Sequence, residues 1–214
     1  MAEPLPPVLE VSGVQTPGIG AVDFSVARGE AVALVAPGGA GKRWLLRVAA
    51  GLRSPAPGTV RCTSARSAYV FANGGLLANV SVLDNLTLPL RFSGVTATEA
   101  RARAMDVLDG LGLEDFAELR PTGLAVDACQ LIQLARAMAL HADLLFLEEP
   151  FRFLSPGTAD EVTGWLRSEL SRARVSVVMT TSDLGDAARI GARVVMLTER
   201  SPAGREAFMP TGSA

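Results

Sequence analysis

The residue types best suited to binding phosphate lie in one glycine-rich segment, residues 36–44, which reads Ala-Pro-Gly-Gly-Ala-Gly-Lys-Arg-Trp. A phosphate-binding loop has a glycine, four further residues, and then Gly-Lys followed by Ser or Thr. Lys42 is the only lysine in the chain. It could neutralise the β- and γ-phosphates of a nucleotide, while the glycines let backbone N–H groups face phosphate oxygens. The candidate nucleotide-binding residues are Pro37, Gly38, Gly39, Ala40, Gly41, Lys42, Arg43 and Trp44.

Two positions depart from this phosphate-binding pattern. Ala36 replaces the first glycine, and Arg43 replaces the hydroxyl residue that would bind Mg²⁺. An ordinary glycine-rich turn is the alternative interpretation, but the apolar strand before the segment and the helix after it favour a phosphate loop. The guanidinium of Arg43 could pair with phosphate oxygens in place of the metal, which would give metal-independent nucleotide binding. Alternatively, it could point to solvent or form a salt bridge with Glu148.

Strand and helix patterns alternate along the chain, and this order predicts an α/β fold with a mainly parallel sheet. The apolar runs Ala31–Ala36 and Leu144–Leu147 are typical of strands buried on both faces. The other predicted strands are Val8–Val11, Ala21–Val26, Ala68–Phe71, Val175–Thr180 and Arg193–Leu197. The predicted helices are Lys42–Ala50, Val82–Leu90, Thr98–Leu111, Ala128–Leu140, Thr158–Arg172 and Asp183–Ile190.

The domain organisation follows from where strands are missing. Residues 76–128 show helices without a clear strand, which predicts a helical subdomain inserted into a single domain of residues 1–199. Within it, Thr98 is the predicted N-cap of its helix. Residues 200–214 are rich in Pro, Gly and Ser, which indicates a flexible C-terminal tail.

Composition excludes several classes of function. The chain has 214 residues and a formal net charge of −2, so no basic field would attract nucleic acid, and we expect no nucleic-acid partner. No apolar run approaches the ~20 residues that span a bilayer, and residues 1–8 lack the layout of a signal peptide. We therefore expect a cytosolic protein. The two cysteines, Cys62 and Cys129, lack metal-ligand spacing and should be reduced thiols, and His141 should lie at the surface.

Three longer segments resemble the nucleotide-binding subunit of ATP-binding-cassette (ABC) transporters. Gln130–Pro150 reads QLIQLARAMALHADLLFLEEP, which is similar to the signature helix, apolar strand, acidic residues and proline of that family. Phe71–Leu90 resembles the segment after the glutamine loop, and Val177–Ala187 resembles the switch-histidine segment. The likeness runs in order from about Val8 to Leu197. Within it, FANGGLLANVSVLDN most resembles cassettes of bacterial phospholipid-trafficking systems of the outer-membrane asymmetry type.

This resemblance implies a P-loop NTPase of ABC-cassette fold that binds ATP. It also implies an integral membrane permease as partner, contacted through the helical subdomain near residues 76–90. The protein would then lie in the cytoplasm at the inner face of the cell membrane. Its cassette would pair with a second copy of itself or with an intact paralogue. A free-standing P-loop protein without a transporter is the alternative that the residues leave open.

The resemblance also assigns roles to an acidic pair at the end of the Leu144–Leu147 strand. Glu149 matches the glutamate that polarises the attacking water, and it is the candidate catalytic residue. Glu148 matches the residue that holds Mg²⁺ through water, where aspartate is usual. Its extra methylene shifts the carboxylate, which near-ideal octahedral Mg²⁺ geometry tolerates badly, so a role for Mg²⁺ is doubtful. A solvated acidic turn is the alternative.

Most of the family's other working positions are changed. The Mg²⁺-sensing glutamine falls on Ala72, the switch histidine on Ser182, and the aspartate of the loop after the acidic pair on Ser155. The signature Leu-Ser-Gly-Gly-Gln falls on Leu124–Ala128. There, Asp127 would either face the γ-phosphate of a partner subunit with like charge or act as an N-cap.

These changes bear on hydrolysis, because phosphoryl transfer relies on positioning and electrostatic stabilisation. We expect a degenerate cassette that hydrolyses ATP weakly or not at all. The alternative function is a non-enzymatic pseudo-ATPase that acts as a scaffold or regulatory subunit of a membrane (lipid) transport complex.

Overall fold

The computed structural model describes residues 6–36, 40–55, 57–172 and 174–198. The predicted tail, residues 200–214, and the candidate residues Pro37, Gly38 and Gly39 lie outside the described residues. The strands are β1 (Leu9–Thr16), β2 (Gly20–Val26), β3 (Ala31–Val35), β4 (Thr59–Cys62), β5 (Ser67–Val70), β6 (Leu144–Glu148), β7 (Ser176–Thr181) and β8 (Arg193–Met196). The α-helices are α1 (Ala40–Ala49), α2 (Val82–Phe92), α3 (Ala97–Gly110), α4 (Val126–Ala139), α5 (Pro156–Ser171) and α6 (Leu184–Ile190), with short 3-10 turns at Glu114–Phe116 and Pro121–Gly123.

Two sheets form the framework. The larger sheet is parallel throughout and has the strand order β5-β6-β7-β3-β8, and the smaller one is antiparallel with the order β2-β1-β4. The prediction of an α/β fold with a mainly parallel sheet is confirmed. Helix α1 contacts strands of both sheets, and α4, α5 and α6 pack on the opposite face of the parallel sheet.

Strand β3, which lies between β7 and β8, shows why its sequence is a continuous apolar run. Val32 and Leu34 pack into the core shared with α1 and the antiparallel sheet. Ala33 and Val35 point to the other face and pack into the core formed with α4, α5 and α6. Because side chains alternate between the two faces and both faces are covered, every residue of the strand is buried.

The helices of the predicted insertion have a core of their own. Leu86 of α2, Leu108 of α3 and Ile132 of α4 are fully buried and meet in one apolar cluster. Ser81 caps α2, because its hydroxyl accepts the N–H of Asp84 at 3.0 Å. This apolar cluster is distinct from the two clusters that cover the faces of the parallel sheet.

Two predicted caps were wrong. Thr96, not Thr98, caps α3, because it has the extended backbone of an N-cap and accepts the N–H of Glu99 at 3.3 Å. Helix α4 begins two residues earlier than predicted, after Ala125, so Asp127 is inside the first turn and not an N-cap. Asp127 is exposed, and its carboxylate accepts the neighbouring Ala128 N–H at 2.8 Å.

Other differences concern strands with weak apolar patterns. Strand β4 has three exposed residues out of four, so its sequence carries little alternation, and the prediction missed it. Strand β1 continues to Thr16, well beyond the predicted end at Val11, because its pairing with β2 resumes at Val14 after a bulge. His141 is exposed, as predicted.

Candidate functional site

The carboxyl ends of β3, β6 and β7 lie side by side at one edge of the parallel sheet. Helix α1 follows β3 and carries Lys42 and Arg43 in its first turn. Glu148 ends β6, Glu149 comes directly after it, and Ser182 follows β7. In open α/β sheets, ligands bind at the carboxyl ends of the strands. The fold therefore brings the predicted cationic and acidic residues to one place where a ligand can bind.

Lys42 is buried at the centre of this edge, with 1% of its surface exposed. Its Nζ donates to the carbonyl of Ala36 at 3.2 Å and to the hydroxyl of Ser182, and it lies 3.6 Å from Oε1 of Glu149. Burial lowers the pKa of Lys42, and the Glu149 carboxylate opposes that shift. The protein thus surrounds its only lysine with oxygen atoms, as the cost of burying a charge requires.

Glu148 is 2% exposed, and both of its carboxylate oxygens are occupied. Arg47 donates from Nε to Oε1 at 2.7 Å and from Nη2 to Oε2 at 3.3 Å. Oε1 also accepts the hydroxyl of Tyr69, and Oε2 accepts the N–H of Ala72 at 3.3 Å. Arg43 lies farther off, with Nε 3.6 Å from Oε2. The buried carboxylate is therefore fully paired by protein groups.

The side chain of Tyr69 is fixed as a donor in this network. Burial raises the pKa of Tyr69 well above its usual value, and the Glu148 carboxylate raises it further, because a phenolate beside a carboxylate is unfavourable. Phe71 packs against the Tyr69 ring with centroids 4.6 Å apart, and the Arg47 guanidinium lies 5.6 Å from the Phe71 ring centre. Arg47 and Tyr69 are thus held in place by packing as well as by hydrogen bonds.

Glu149 has a backbone conformation that is rare for this residue type, with φ at +44°. Its N–H donates to the carbonyl of Thr180 at 3.0 Å, which ties it to β7. Its Oε2 accepts from Nη1 of Arg152 at 2.9 Å, while Oε1 faces Lys42. The carboxylate predicted to polarise water is therefore paired with two cations.

A cavity of about 540 Å³ opens beside Glu149 and Ser182, the two side chains that contact the amino group of Lys42. In its lining, Asp186 accepts the hydroxyl of Thr181 at 2.7 Å, and burial raises the pKa of Asp186. A second cavity, of about 590 Å³, lies beside His141 and contains none of the predicted site residues, so volume alone does not identify the site. The first cavity is lined by Arg43, Glu149, Phe151, Arg152, Thr181, Ser182, Asp183 and Asp186.

The glycine before Lys42 is required by the β1–β2 turn. A Cβ on Gly41 would lie 2.4 Å from Cδ1 of Ile19 and 2.9 Å from the carbonyl oxygen of Pro17. The turn thus packs directly on the start of α1. Trp44 is partly buried and packs against the core beneath this turn. The phosphate-binding roles of the glycine-rich segment stay predictions.

Two residues of the network around Glu148, Arg47 and Tyr69, were not predicted from the sequence. Arg47 lies four residues after Arg43 and therefore on the same face of α1, so the helical spacing could have revealed it. Tyr69 is the only tyrosine in the chain and lies between two buried residues of β5, but no pattern in the sequence connects it to Glu148. Ser155, predicted at a loop position, caps α5 by accepting the N–H of Thr158 at 3.2 Å.

Comparison with known proteins identifies the class of protein that this fold and site define. The family profile described as ABC transporter matches residues 19–152, which include the phosphate-loop segment, the helical region and the acidic pair. The chain therefore belongs to the ABC transporter family. In the described residues, no helix is both long and apolar enough to cross a membrane.

Relatives with assigned roles are import subunits. The chain is 37% identical over 179 residues to the aliphatic sulfonates import ATP-binding protein SsuB of Mycobacterium sp. (strain MCS), covering 84% of this chain and 73% of that protein. It is 32% identical over 197 residues to the sulfate/thiosulfate import ATP-binding protein CysA 1 of Rhizobium meliloti (strain 1021), covering 86% and 57%. The chain thus spans little more than half the length of the sulfate-import relative. These relatives give no support to the expected phospholipid-trafficking sub-family.

Solved structures agree on the fold. A dimeric ATP-binding cassette in a post-hydrolysis state, bound to ADP and phosphate, matches with a TM-score of 0.81 at 24% identity, covering 88% of this chain and 94% of that one. A metal-chelate type ABC transporter in an inward-facing conformation matches with a TM-score of 0.77 at 24% identity, covering 91% and 81%. The predicted P-loop ABC-cassette fold is confirmed.

The Mg²⁺ ion that the family resemblance implies does not fit the side chains at this edge. Residue 43 offers a guanidinium where a hydroxyl oxygen would bind the ion, and Ala72 has no polar side chain. Both oxygens of Glu148 already accept hydrogen bonds from Arg47, Tyr69 and the Ala72 backbone. Mg²⁺ requires oxygen ligands in near-ideal octahedral geometry, and this carboxylate has none free to offer.

Proposed function

We propose that this chain is the ATP-binding subunit of an ABC-type transport complex and that its own site hydrolyses ATP weakly or not at all. Family membership supports the first part. The second part is carried by one observation, the complete pairing of Glu148 by Arg47, Tyr69 and the Ala72 N–H. A carboxylate held in this way cannot take part in positioning a metal, and metal positioning is a large part of phosphoryl-transfer catalysis.

The proposed catalytic carboxylate is restrained as well. Glu149 would have to orient a water molecule for attack, but Arg152 and Lys42 lie on its two oxygens. Ser182 contributes a hydroxyl to Lys42 where the family resemblance would place a histidine. Nucleotide binding needs the cation at Lys42 and the space beside it, whereas turnover needs groups that this chain has exchanged.

ATP turnover by the purified chain, measured as phosphate release, tests this proposal. We expect release at the level of an E149Q variant, because the wild-type carboxylate is already neutralised by its partners. Phosphate release well above the E149Q level would overturn the claim of impaired hydrolysis. The same assay is then repeated after mixing with a catalytically intact cassette. Phosphate release that rises in the mixture shows that this chain contributes to turnover in a pair, whereas unchanged release shows that it does not.

The proposed transport complex also requires a permease partner, which we place on the helical region. A groove of about 270 Å³ lies between the segment after β5 and the start of α4, and it is mainly apolar. Leu77 and Val126 are each 55% exposed at this region. Among the described residues, Nε2 of Gln130 is buried in the groove without a hydrogen-bond partner. Such a donor favours a partner segment that supplies an acceptor oxygen.

The import roles of the relatives suggest the cargo class to test first. Relatives named for sulfate, thiosulfate and aliphatic sulfonates favour a complex that imports a small sulfur oxyanion over one that moves lipid. The cassette would form a dimer, with itself or with an intact paralogue, at the inner face of the membrane. Co-purification from solubilised membranes, followed by identification of the co-purifying permease, tests the partner; recovery of the chain without any membrane protein would contradict it.

A non-enzymatic regulatory subunit is the second candidate. It is favoured by the same pairing of Glu148, since a closed network keeps the fold of the cassette without its chemistry. The two candidates differ in whether nucleotide binds. Nucleotide binding without turnover supports the first candidate, and a permease complex that assembles without nucleotide binding supports the second.

A further inference from the structure

We infer that the site binds the polyphosphate of a nucleotide without a divalent cation, with the Arg43 guanidinium making the phosphate contact that a metal would otherwise make. This inference rests on the proposed function, because it concerns how the same site holds ATP. Two observations support it: Mg²⁺ does not fit the side chains at this edge, and the contacts of Arg43 leave its guanidinium able to turn towards a ligand.

Arg43 is the cation at this edge that can move without disturbing its neighbours. It is 40% exposed, and its approach to Glu148 is a long one, 3.6 Å through Nε. The described residues show no hydrogen bond from its guanidinium. Glu148 keeps Arg47, Tyr69 and the Ala72 N–H if Arg43 turns away. Rotation of Arg43 towards a ligand therefore leaves no buried charge uncompensated.

The position of Arg43 suits a phosphate contact. It is adjacent to Lys42 in the first turn of α1 and lines the cavity beside it. Guanidinium groups bind phosphate oxygens in a bidentate manner and remain charged at any physiological pH. The lysine and the arginine place two positive charges side by side at this edge.

The acidic side chains at the cavity are engaged with protein groups, and this favours a metal-free ligand. Glu149 is paired with Arg152, and Asp186 accepts the hydroxyl of Thr181. Asp183 accepts the N–H of Gly185 at 2.7 Å and caps α6. A metal brought in by the nucleotide would have to displace one of these contacts, whereas a bare polyphosphate would not.

The test is a titration of the full chain with a ribose-labelled fluorescent ATP analogue, in EDTA and in excess Mg²⁺ at matched ionic strength. We expect equal or tighter binding in EDTA, and displacement of the probe by unlabelled inorganic triphosphate. R43Q should weaken binding in EDTA about 10- to 100-fold, the loss of one charge-assisted contact. R28Q removes an exposed arginine near the amino end of β3 and should leave affinity unchanged.

The outcomes separate the inference from the proposed function. Binding that falls tenfold or more in EDTA overturns the metal-free site while leaving the ATP-binding subunit intact. Wild-type affinity for R43Q in EDTA, in a variant whose melting temperature is unchanged, overturns the role of Arg43. Absence of binding in both buffers contradicts the proposed function and the inference together.

Discussion

Arg47 and Glu148 form a two-point ion pair, with Nε–Oε1 at 2.7 Å and Nη2–Oε2 at 3.3 Å. Glu148 is 2% exposed, whereas Arg47 is 34% exposed. Removing the arginine would leave a buried carboxylate short of its main cation. Loss of one partner of a fully buried pair costs about 3–5 kcal/mol, and the exposure of Arg47 reduces this figure by solvent screening.

We therefore predict that R47Q lowers the free energy of unfolding by about 1–2 kcal/mol, measured by urea denaturation. R66Q is the matched control, since Arg66 is 60% exposed and lies 3.7 Å from Asp143. It should change stability by less than about 0.5 kcal/mol. Equal losses of unfolding free energy in the two variants would show that the Arg47–Glu148 pair contributes no more to stability than an exposed ion pair does.

Tyr69 makes stability depend on alkaline pH. Its folded-state pKa is raised above the ordinary value of about 10 by burial and by Glu148, so the unfolded chain releases this proton first as pH rises. The stabilisation is complete below about pH 10 and is lost above it, at a limiting slope of about 1.4 kcal/mol per pH unit for one proton. Burial lowers the pKa of Lys42 in the folded state. As pH approaches the higher pKa of this lysine in the unfolded chain, its contribution to the free energy of unfolding therefore rises, opposite to the effect of Tyr69.

The contribution of Tyr69 is isolated by comparison with Y69F, which keeps the ring and removes the proton. At pH 7 we expect Y69F to be less stable by about 1–2 kcal/mol, from the lost hydrogen bond to a charged acceptor. The stability difference should shrink above pH 10. A gap that stays constant from pH 9 to pH 11 would refute the raised pKa.

Gly41 should resist substitution although it lies in a helix. Alanine is normally favoured over glycine there by about 1 kcal/mol, but its Cβ would meet Ile19 at 2.4 Å and the backbone of Pro17 at 2.9 Å. We predict that G41A is destabilising by about 1–3 kcal/mol in thermal or urea unfolding. The control is G164A in α5, where nothing lies within 4 Å of the added Cβ.

G164A should be neutral or stabilising by up to about 1 kcal/mol. Replacing Ile19 with alanine in the G41A background should recover only part of the loss, because the Pro17 carbonyl remains in place. If G41A matched G164A in stability, the close packing of the β1–β2 turn on α1 would be disproved.

Substitution of Gln130 should weaken partner binding without lowering the stability of the chain. Its Nε2 is buried and unpaired among the described residues, and leaving such a donor unsatisfied costs about 1–3 kcal/mol. We predict that Q130M, which is close in volume, keeps or raises the melting temperature of the isolated chain. The same variant should recover less permease on co-purification. Unchanged recovery would exclude a contact between Gln130 and the partner.

The sequence predicted those elements whose local pattern reflects their burial. Helix α2 begins at Val82, as predicted, and β2 differs from its predicted bounds by one residue, because these segments bury one regular face. Strand β4 escaped prediction because its position at the sheet edge leaves most of its side chains exposed. The cap at Thr96 was missed since two threonines, at 96 and 98, offer the same side chain and only the backbone conformation selects one.

The sequence alone determined the parallel α/β class, the family, and the candidate role of Lys42, because a strand–turn–helix order and a glycine-rich segment are local features. It left open whether Arg43 contacts phosphate, or instead points to solvent or pairs with Glu148. Only the tertiary structure showed that Glu148 is already paired by Arg47, Tyr69 and the chain at residue 72. Those groups come from α1, β5 and the segment after it, and they meet because the carboxyl ends of parallel strands converge. A contact between residues 47 and 148 is a long-range property of the fold, and no local pattern encodes it.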